Sequence, residues 1–327
     1  MPNVLIMPTP LRHRPGKYRE VLAEAGLTPF DPPGFHRLME NDLVEAVSEV
    51  EAILAGGDPL TERVIQSAPR LRVIARAGVG FESVDLKTAT ARNIPVAITP
   101  GANHESVAEH NLMMILALSR NALGNDKMIR NGGWDRIAVR PLRGMTLGVV
   151  GLGRIGRAVA VRARALGMRV IAFDRNSDPE FDRLHGIDRL DFERVLSNSD
   201  VISLNMPLSD TTRGMFDRQA FSLMRPGAIF VNTSRGGLVV EEDLHEALVS
   251  GKLAGAGLDV MVSEPPDRSN PLLGLPNVLF SPHIAGVDTA ALDDMAEQAA
   301  RIIIDLHQGR WPEHCVVNQA VKTSWEW

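Results

Sequence analysis

The chain has 327 residues, room for about two domains at roughly 100–200 residues each, with 44% hydrophobic and 23% charged residues, the balance of an ordinary globular protein whose core needs no metal or disulfide. A formal net charge of -5 without a long Lys/Arg block argues against nucleic acid as a partner. Apolar runs such as Leu112 to Leu118 fall far short of the ~20 residues of a membrane helix, and the one cysteine, Cys315, closes no internal disulfide, which points to a reducing, cytoplasmic setting.

Short apolar runs alternate with amphipathic stretches along the chain. The N-terminus, Met-Pro-Asn-Val-Leu-Ile-Met-Pro, lacks the basic region of a signal peptide and reads as a first strand. Strands are predicted at Val4–Met7, Ala52–Ala55, Val73–Ala75 and Pro95–Ile98. A long helix rich in Leu, Met and Ile follows, about His104 to Ala122, and then a break at Asn131-Gly132-Gly133-Trp134-Asp135-Arg136. A second set of strands runs Leu147–Val150, Val170–Phe173, Val201–Leu204, Ala228–Asn232, Gly257–Val260 and Val278–Phe280. A last helix spans Asp288 to His307, with Asp288 placed to cap it. Strands apolar on both faces and separated by helices imply parallel sheets covered on both sides, so the class is α/β. Two such units imply a cleft between domains, a common ligand site.

The stretch Gly148-Val149-Val150-Gly151-Leu152-Gly153-Arg154-Ile155-Gly156 reads strand, glycine turn, helix. Gly151 permits the tight turn, Gly153 lets a pyrophosphate approach the backbone, and Gly156 allows close helix packing. The helix N-terminus offers free N–H groups and a positive dipole end to phosphate. A second strand ends at Asp174, 18 residues after Gly156, where a ribose-binding acid belongs. A carboxylate accepts from a ribose 2′-OH and repels a 2′-phosphate, so the expected cofactor is NAD; the adjacent Arg175 softens that preference.

Five further segments add up to a resemblance. They are Arg76-Ala77-Gly78-Val79-Gly80-Phe81-Glu82-Ser83-Val84-Asp85, Ser106-Val107-Ala108-Glu109-His110, Val231-Asn232-Thr233-Ser234-Arg235-Gly236-Gly237-Leu238-Val239, Gly257-Leu258-Asp259-Val260 with Glu264-Pro265, and Ser281-Pro282-His283-Ile284-Ala285-Gly286. In this order the chain resembles the D-isomer-specific 2-hydroxyacid dehydrogenases over essentially its whole length, D-3-phosphoglycerate dehydrogenases among them. The resemblance implies two doubly wound parallel-sheet domains, with a Rossmann cofactor domain (101–287) inserted in a flavodoxin-like substrate domain (1–100 plus 288–327). It implies hydride transfer between NAD and a small 2-hydroxy or 2-keto acid, and a two-fold homodimer built on the helix after His104 and the following loop. The chain ends near residue 327 without the additional regulatory domains of longer phosphoglycerate dehydrogenases, so serine feedback of that kind is not expected.

Reducing a 2-keto acid requires the carboxylate to be held, the carbonyl polarised and a proton delivered to the developing alkoxide. By the resemblance Arg235 holds the substrate, His283 exchanges the proton and Glu264 pairs with His283, favouring imidazolium. Cofactor contacts carried over by match are Arg154, Ile155, Asn205, Pro207, Thr211, Thr233, Ser234, Asp259, Val107, His283 and Gly286. Asn205 stands where many relatives carry His, and it cannot titrate. The substrate would meet the backbone of Val79 and Gly80, with Asn103 and Arg76 nearby; Arg76 or Arg136 would read a substrate phosphate, and either can equally be a surface ion-pair residue. Taken singly, Arg235, Glu264 and His283 each have an ordinary structural reading as a turn cap, a solvated loop residue and a hydrogen-bonded structural histidine. His104, His110, His314 and Cys315 complete no four-ligand set, so no metal is expected.

Two other functions stay open. One is a formate- or phosphite-type dehydrogenase of the same fold; Glu264, where formate dehydrogenases carry Gln, argues against formate. The other is an NAD-sensing corepressor-like binding module, against which the complete Arg235, Glu264 and His283 set argues. The substrate side chain is not readable from the sequence: phosphoglycerate, hydroxypyruvate, glyoxylate and lactate fit equally.

Overall fold

A computed structural model describes residues 1–34 and 38–327. The chain forms two compact α/β units. One joins Met1–Asn103 to Val287–Trp327, and the other is His104–Gly286.

The first unit holds five strands: β1 (Asn3–Ile6), β2 (Thr28–Phe30), β3 (Ala52–Ala55), β4 (Val73–Arg76) and β5 (Val96–Ala97), all parallel in the order β2-β1-β3-β4-β5. Every residue of β3 is buried, as expected of a central strand covered on both faces. The sequence reading passed over β2, a three-residue edge strand with Pro29 at its centre; proline has no N–H for a ladder and is confined to such edges. The helix Thr289–His307 packs in this unit. Leu292, Ala296, Ala299, Ile303 and Leu306 share one core with Val4, Leu22 and Val73. Each fully buried Leu or Ile there stabilises by roughly 1.5–3 kcal/mol. Asp288 caps the helix, its side chain accepting from the N–H of Ala291 at 2.8 Å, a bond worth about 1 kcal/mol.

The second unit holds β6 (Thr146–Val150), β7 (Arg169–Phe173), β8 (Ile187–Arg189), β9 (Val201–Leu204), β10 (Ala228–Asn232), β11 (Leu253–Leu258) and β12 (Val278–Phe280). They form a parallel sheet in the order β12-β11-β10-β9-β6-β7-β8. The order reverses at β6, so the loops after β6 and β9 open at the sheet's switch point, where open α/β sheets bind ligands.

Three local expectations need correction. The helix predicted to run unbroken to Ala122 is two, His104–Ser119 and Ala122–Arg130, separated at Asn121, which takes a left-handed φ of 48°. Asparagine tolerates that conformation better than most residues. The strand predicted at Gly257–Val260 is β11, four residues earlier at its start, and its Leu-Ala-Gly-Ala-Gly-Leu sequence carries little strand signal. The small residues are there for packing: a Cβ at Gly257 would come 3.0 Å from the side chain of Met114, and one at Gly255 2.8 Å from the carbonyl oxygen of Asn277 and 3.2 Å from the side chain of Leu118, so the glycines let the helix His104–Ser119 and the backbone at Asn277 lie close on the strand. The helix after the glycine turn, which the sequence predicts over Arg157–Leu166, spans Arg154–Ala165.

Candidate active site

The glycine turn connects β6 to the helix Arg154–Ala165. Gly151 has φ 96°, and a Cβ there would lie 2.5 Å from the carbonyl oxygen of Asn205. A Cβ on Gly156 would lie 2.0 Å from the carbonyl oxygen of Gly151, which no side chain survives. Gly153 differs: nothing described lies within 4 Å of its Cβ position, and it is the helix N-cap without a side-chain cap. The turn is therefore closed by two glycines and open at the third, with uncapped first-turn N–H groups beside the opening, as a pyrophosphate requires.

Asp174 follows β7. Its Oδ2 accepts from the N–H of Leu152 at 2.6 Å and its Oδ1 from that of Asn176 at 2.7 Å. The carboxylate is thus tied to the glycine turn itself and keeps lone pairs for ribose hydroxyls. Arg175 donates to Oγ1 of Thr211 at 3.3 Å, which draws it toward the loop after Pro207. Arg154 is exposed, Ile155 half-buried and Val107 buried.

Asn205 stands at the end of β9. Its Nδ2 donates to Oγ of Ser203 at 2.9 Å, Ser203 donates to Oδ1 of Asn111 at 3.2 Å, and Nδ2 of Asn111 donates to Oγ1 of Thr233 at 3.2 Å. The Oδ1 of Asn205 is buried with no hydrogen-bond partner among the described residues. A buried acceptor at the switch point beside the glycine turn suits a ligand that brings a donor. On these observations the residues fit NAD. Sequence reasoning missed Asn111 and Ser203; their only signal was a polar residue within an apolar helix and another within an apolar strand.

The loop after β10 carries Ser234 and Arg235. Buried Asn232 shapes it, accepting from the N–H of Ser234 at 2.9 Å and donating to the carbonyl of Arg235 at 2.9 Å. Oγ of Ser234 donates to the carbonyl of Leu204, tying the loop to β9. A Cβ on Gly236 would meet the carbonyl carbon of Met261 at 2.0 Å, so the loop lies directly against the segment leading to Glu264.

Nδ1 of His283 lies 2.7 Å from Oε2 of Glu264. Burial alone would push the Glu264 carboxyl up. The hydrogen bond and charge of His283, the N–H of Met261 and the charge of Arg235 outweigh it and hold the carboxyl below the usual carboxylate range. His283 is itself in the left-handed region, φ 54°, a conformation that costs a non-glycine residue about 1–2 kcal/mol. The structure thus brings Arg235, Glu264 and His283 together, each from a loop at the carboxyl end of a strand. Asp259, at the end of β11, is buried and accepts from the N–H groups of Ile284 and Ala285, both at 2.9 Å. Gly286 closes this loop and is half-buried.

In the other unit Arg76, Val79 and Gly80 share the loop after β4. Nε of Arg76 donates to the carbonyl of Gly80 at 2.6 Å, and Gly78 exchanges hydrogen bonds with Thr99. Asn103 is half-buried at the end of that unit's first segment. Arg136 is exposed in the 131–141 segment of its own unit, close in sequence to Trp134, which is 80% exposed. Among the described residues no helix is long and apolar enough to cross a membrane.

Residues 112–285 match the family model described as D-isomer specific 2-hydroxyacid dehydrogenase, NAD binding domain. The chain is 37% identical over 288 residues to glyoxylate reductase of Korarchaeum cryptofilum, covering 86% of each protein. It is 39% identical to D-3-phosphoglycerate dehydrogenase of Archaeoglobus fulgidus over 83% of this chain but 52% of that enzyme, so it spans about half that relative's length. Among solved structures, D-lactate dehydrogenase from Aquifex aeolicus, complexed with NAD and lactic acid, aligns with a TM-score of 0.81 at 27% identity, over 97% of this chain and 99% of that one.

Proposed function

The chain belongs to the D-isomer specific 2-hydroxyacid dehydrogenase family, and from that premise we propose that it reduces a small 2-keto acid to the D-2-hydroxy acid with NADH, and runs the reverse with NAD. Bound NAD supplies or accepts the hydride. The chain's residues do the rest. Arg235 holds the substrate carboxylate and carbonyl with its planar fork. His283 delivers the proton to the developing alkoxide. Its Nδ1 faces Glu264, an ionised acceptor, so Nδ1 carries a hydrogen and Nε2 is the nitrogen that exchanges a proton with substrate. Glu264 keeps the ring aimed through that hydrogen bond. The single observation that carries this reading is the 2.7 Å Glu264–His283 pair within reach of the charge of Arg235.

The glycine turn, Asp174, Asn205 and Thr233 hold the cofactor, with Arg154, Ile155, Arg175, Pro207, Thr211, Ser234, Asp259, Val107 and Gly286 as its further surroundings. Unit one supplies the substrate loops at Arg76, Val79, Gly80 and Asn103, and Arg76 or Arg136 reads a phosphate where the substrate has one. Glyoxylate, hydroxypyruvate and 3-phosphohydroxypyruvate are the first substrates to consider. A second copy of the chain covers the exposed apolar side chains Leu123, Ile129, Trp134 and Ile137, giving a homodimer, and the reducing cytoplasm is its setting.

The test is NADH oxidation with each of these acids, with chiral analysis of the products of hydroxypyruvate and 3-phosphohydroxypyruvate, since glycolate from glyoxylate is achiral. The reading requires turnover of at least one acid, and a D-2-hydroxy product wherever the product is chiral. NADH binding without turnover of any, or an L product, overturns it.

A further inference from the structure

We propose that His110 is a positioning residue for the acid–base histidine, acting through Ser281 and Asp259; the proposal rests on the reading of His283 as the proton donor. The helix His104–Ser119 places Nε2 of His110 2.8 Å from Oγ of Ser281. Oγ of Ser281 lies 2.5 Å from Oδ1 of Asp259. The Asp259 carboxylate also accepts from the N–H groups of Ile284, at Oδ1, and Ala285, at Oδ2. With that set of donors around it, Asp259 is the acceptor of the serine contact, and the one proton of Ser281 goes to it. Nε2 of His110 therefore carries a hydrogen and donates to Ser281. The chain runs His110 to Ser281 to Asp259, with the direction of each hydrogen bond fixed.

This chain surrounds the turn that carries His283. The carbonyl of Asp259 accepts from the backbone N–H of His283 at 2.8 Å, while its carboxylate binds residues 281, 284 and 285. A residue held at φ 54° persists only where its surroundings over-determine it. One buried aspartate supplies the bonds on both sides of His283. His110 orients the serine hydroxyl that completes the set, and linked bonds of this kind strengthen one another. His110 itself sits 3.7 Å from Oδ1 of Asp259, behind the turn.

The experiment compares His110→Leu, His110→Gln, Ser281→Ala and the His110→Leu/Ser281→Ala double variant in the full chain. His110→Leu and Ser281→Ala are each expected to lower kcat about tenfold while the KM for NADH stays within about threefold, since the defect is misdirection of the imidazole. His110→Gln, which returns an N–H to the same region, recovers most of the rate. The double variant costs no more than Ser281→Ala alone, because the two residues act as one chain. NMR on the substrate-free protein reads the same event: the Nδ1–H resonance of His283 shifts or broadens in His110→Leu and Ser281→Ala, and returns in His110→Gln. Wild-type kcat and an unmoved resonance in His110→Leu, a glutamine variant as impaired as the leucine one, or additive losses in the double variant overturn the proposal. Should His110→Leu disturb the helix, Ser281→Ala carries the same test. If the wild type turns over no 2-keto acid, the functional reading fails, and the His283 resonance still decides what His110 does.

Discussion

Glu264 and His283 meet through Oε2 and Nδ1 at 2.7 Å, and the contact helps hold the Glu264 carboxyl below its usual range although burial pulls it the other way. A depressed carboxyl contributes stability that is fully present above the ordinary glutamate value of about 4.3 and is lost as pH falls through the lowered folded value. The stability advantage of wild type over Glu264→Gln is therefore expected to be constant near neutral pH and to shrink in acid below that value. Thermal melts from pH 7 to pH 3 check this; an advantage that grows in acid contradicts it. In reduction, Glu264→Gln is expected to lower the rate, because a neutral amide is a weaker acceptor than a carboxylate for the Nδ1–H that aims the imidazole.

Arg235 lies in a loop that Asn232 pins through the N–H of Ser234 and the carbonyl of Arg235, and on the proposed reading its guanidinium grips the substrate carboxylate in two places. Arg235→Lys keeps the charge and loses the fork. It is expected to lower kcat/KM about 100-fold, roughly 2.7 kcal/mol of transition-state stabilisation. A lysine variant within threefold of wild type would show that charge alone is used. Steady-state kinetics with the best keto acid decides between them.

The glycines of the cofactor turn separate folding from binding. Gly156→Ala places a Cβ 2.0 Å from the carbonyl of Gly151, so it is expected to destabilise the unit and abolish NADH binding together. Gly153→Ala has open space and is expected to melt within a few degrees of wild type while losing about tenfold or more in NADH affinity, since only an approaching phosphate meets the added methyl. Melting curves and fluorescence titration with NADH report both. Wild-type affinity in Gly153→Ala would place the pyrophosphate elsewhere.

Asp174 serves the glycine turn and, on the proposed reading, the ribose as well. Asp174→Ala removes the acceptor for the N–H of Leu152 as well as the charge that repels a 2′-phosphate. NADH affinity is expected to fall about tenfold, and the ratio of NADPH to NADH turnover to rise. A variant that loses NADH affinity with an unchanged ratio would leave Asp174 a purely structural residue.

Much of this was legible in the residues. The glycine spacing, the strand before it and the acid at Asp174 announce a dinucleotide turn, because each position answers a steric or electrostatic demand that few other residues meet. The ordered segments around Arg235, Glu264 and His283 point to the family, which membership confirms. Other features depend on contacts that sequence distance hides. β11 is legible only from Gly257 because Gly257 is small for the sake of Met114, on a helix more than a hundred residues away, and Gly255 for the carbonyl of Asn277 and the side chain of Leu118. β2 and β8 are three-residue edge strands with little burial to pattern them. Asn111 and Ser203 look like stray polar positions until folding joins them into a hydrogen-bonded chain, and His110 belongs to a family-like segment whose sequence does not show its contact with Ser281.

The most direct test of the central claim is the rate of NADH oxidation by wild type and His283→Asn side by side, with glyoxylate, hydroxypyruvate and 3-phosphohydroxypyruvate. Removing the proton donor is expected to cost about 10²-fold or more in kcat with NADH affinity little changed. A His283→Asn variant that turns over the best of these acids at close to the wild-type rate would contradict acid–base catalysis by His283 and, with it, the assignment of the site.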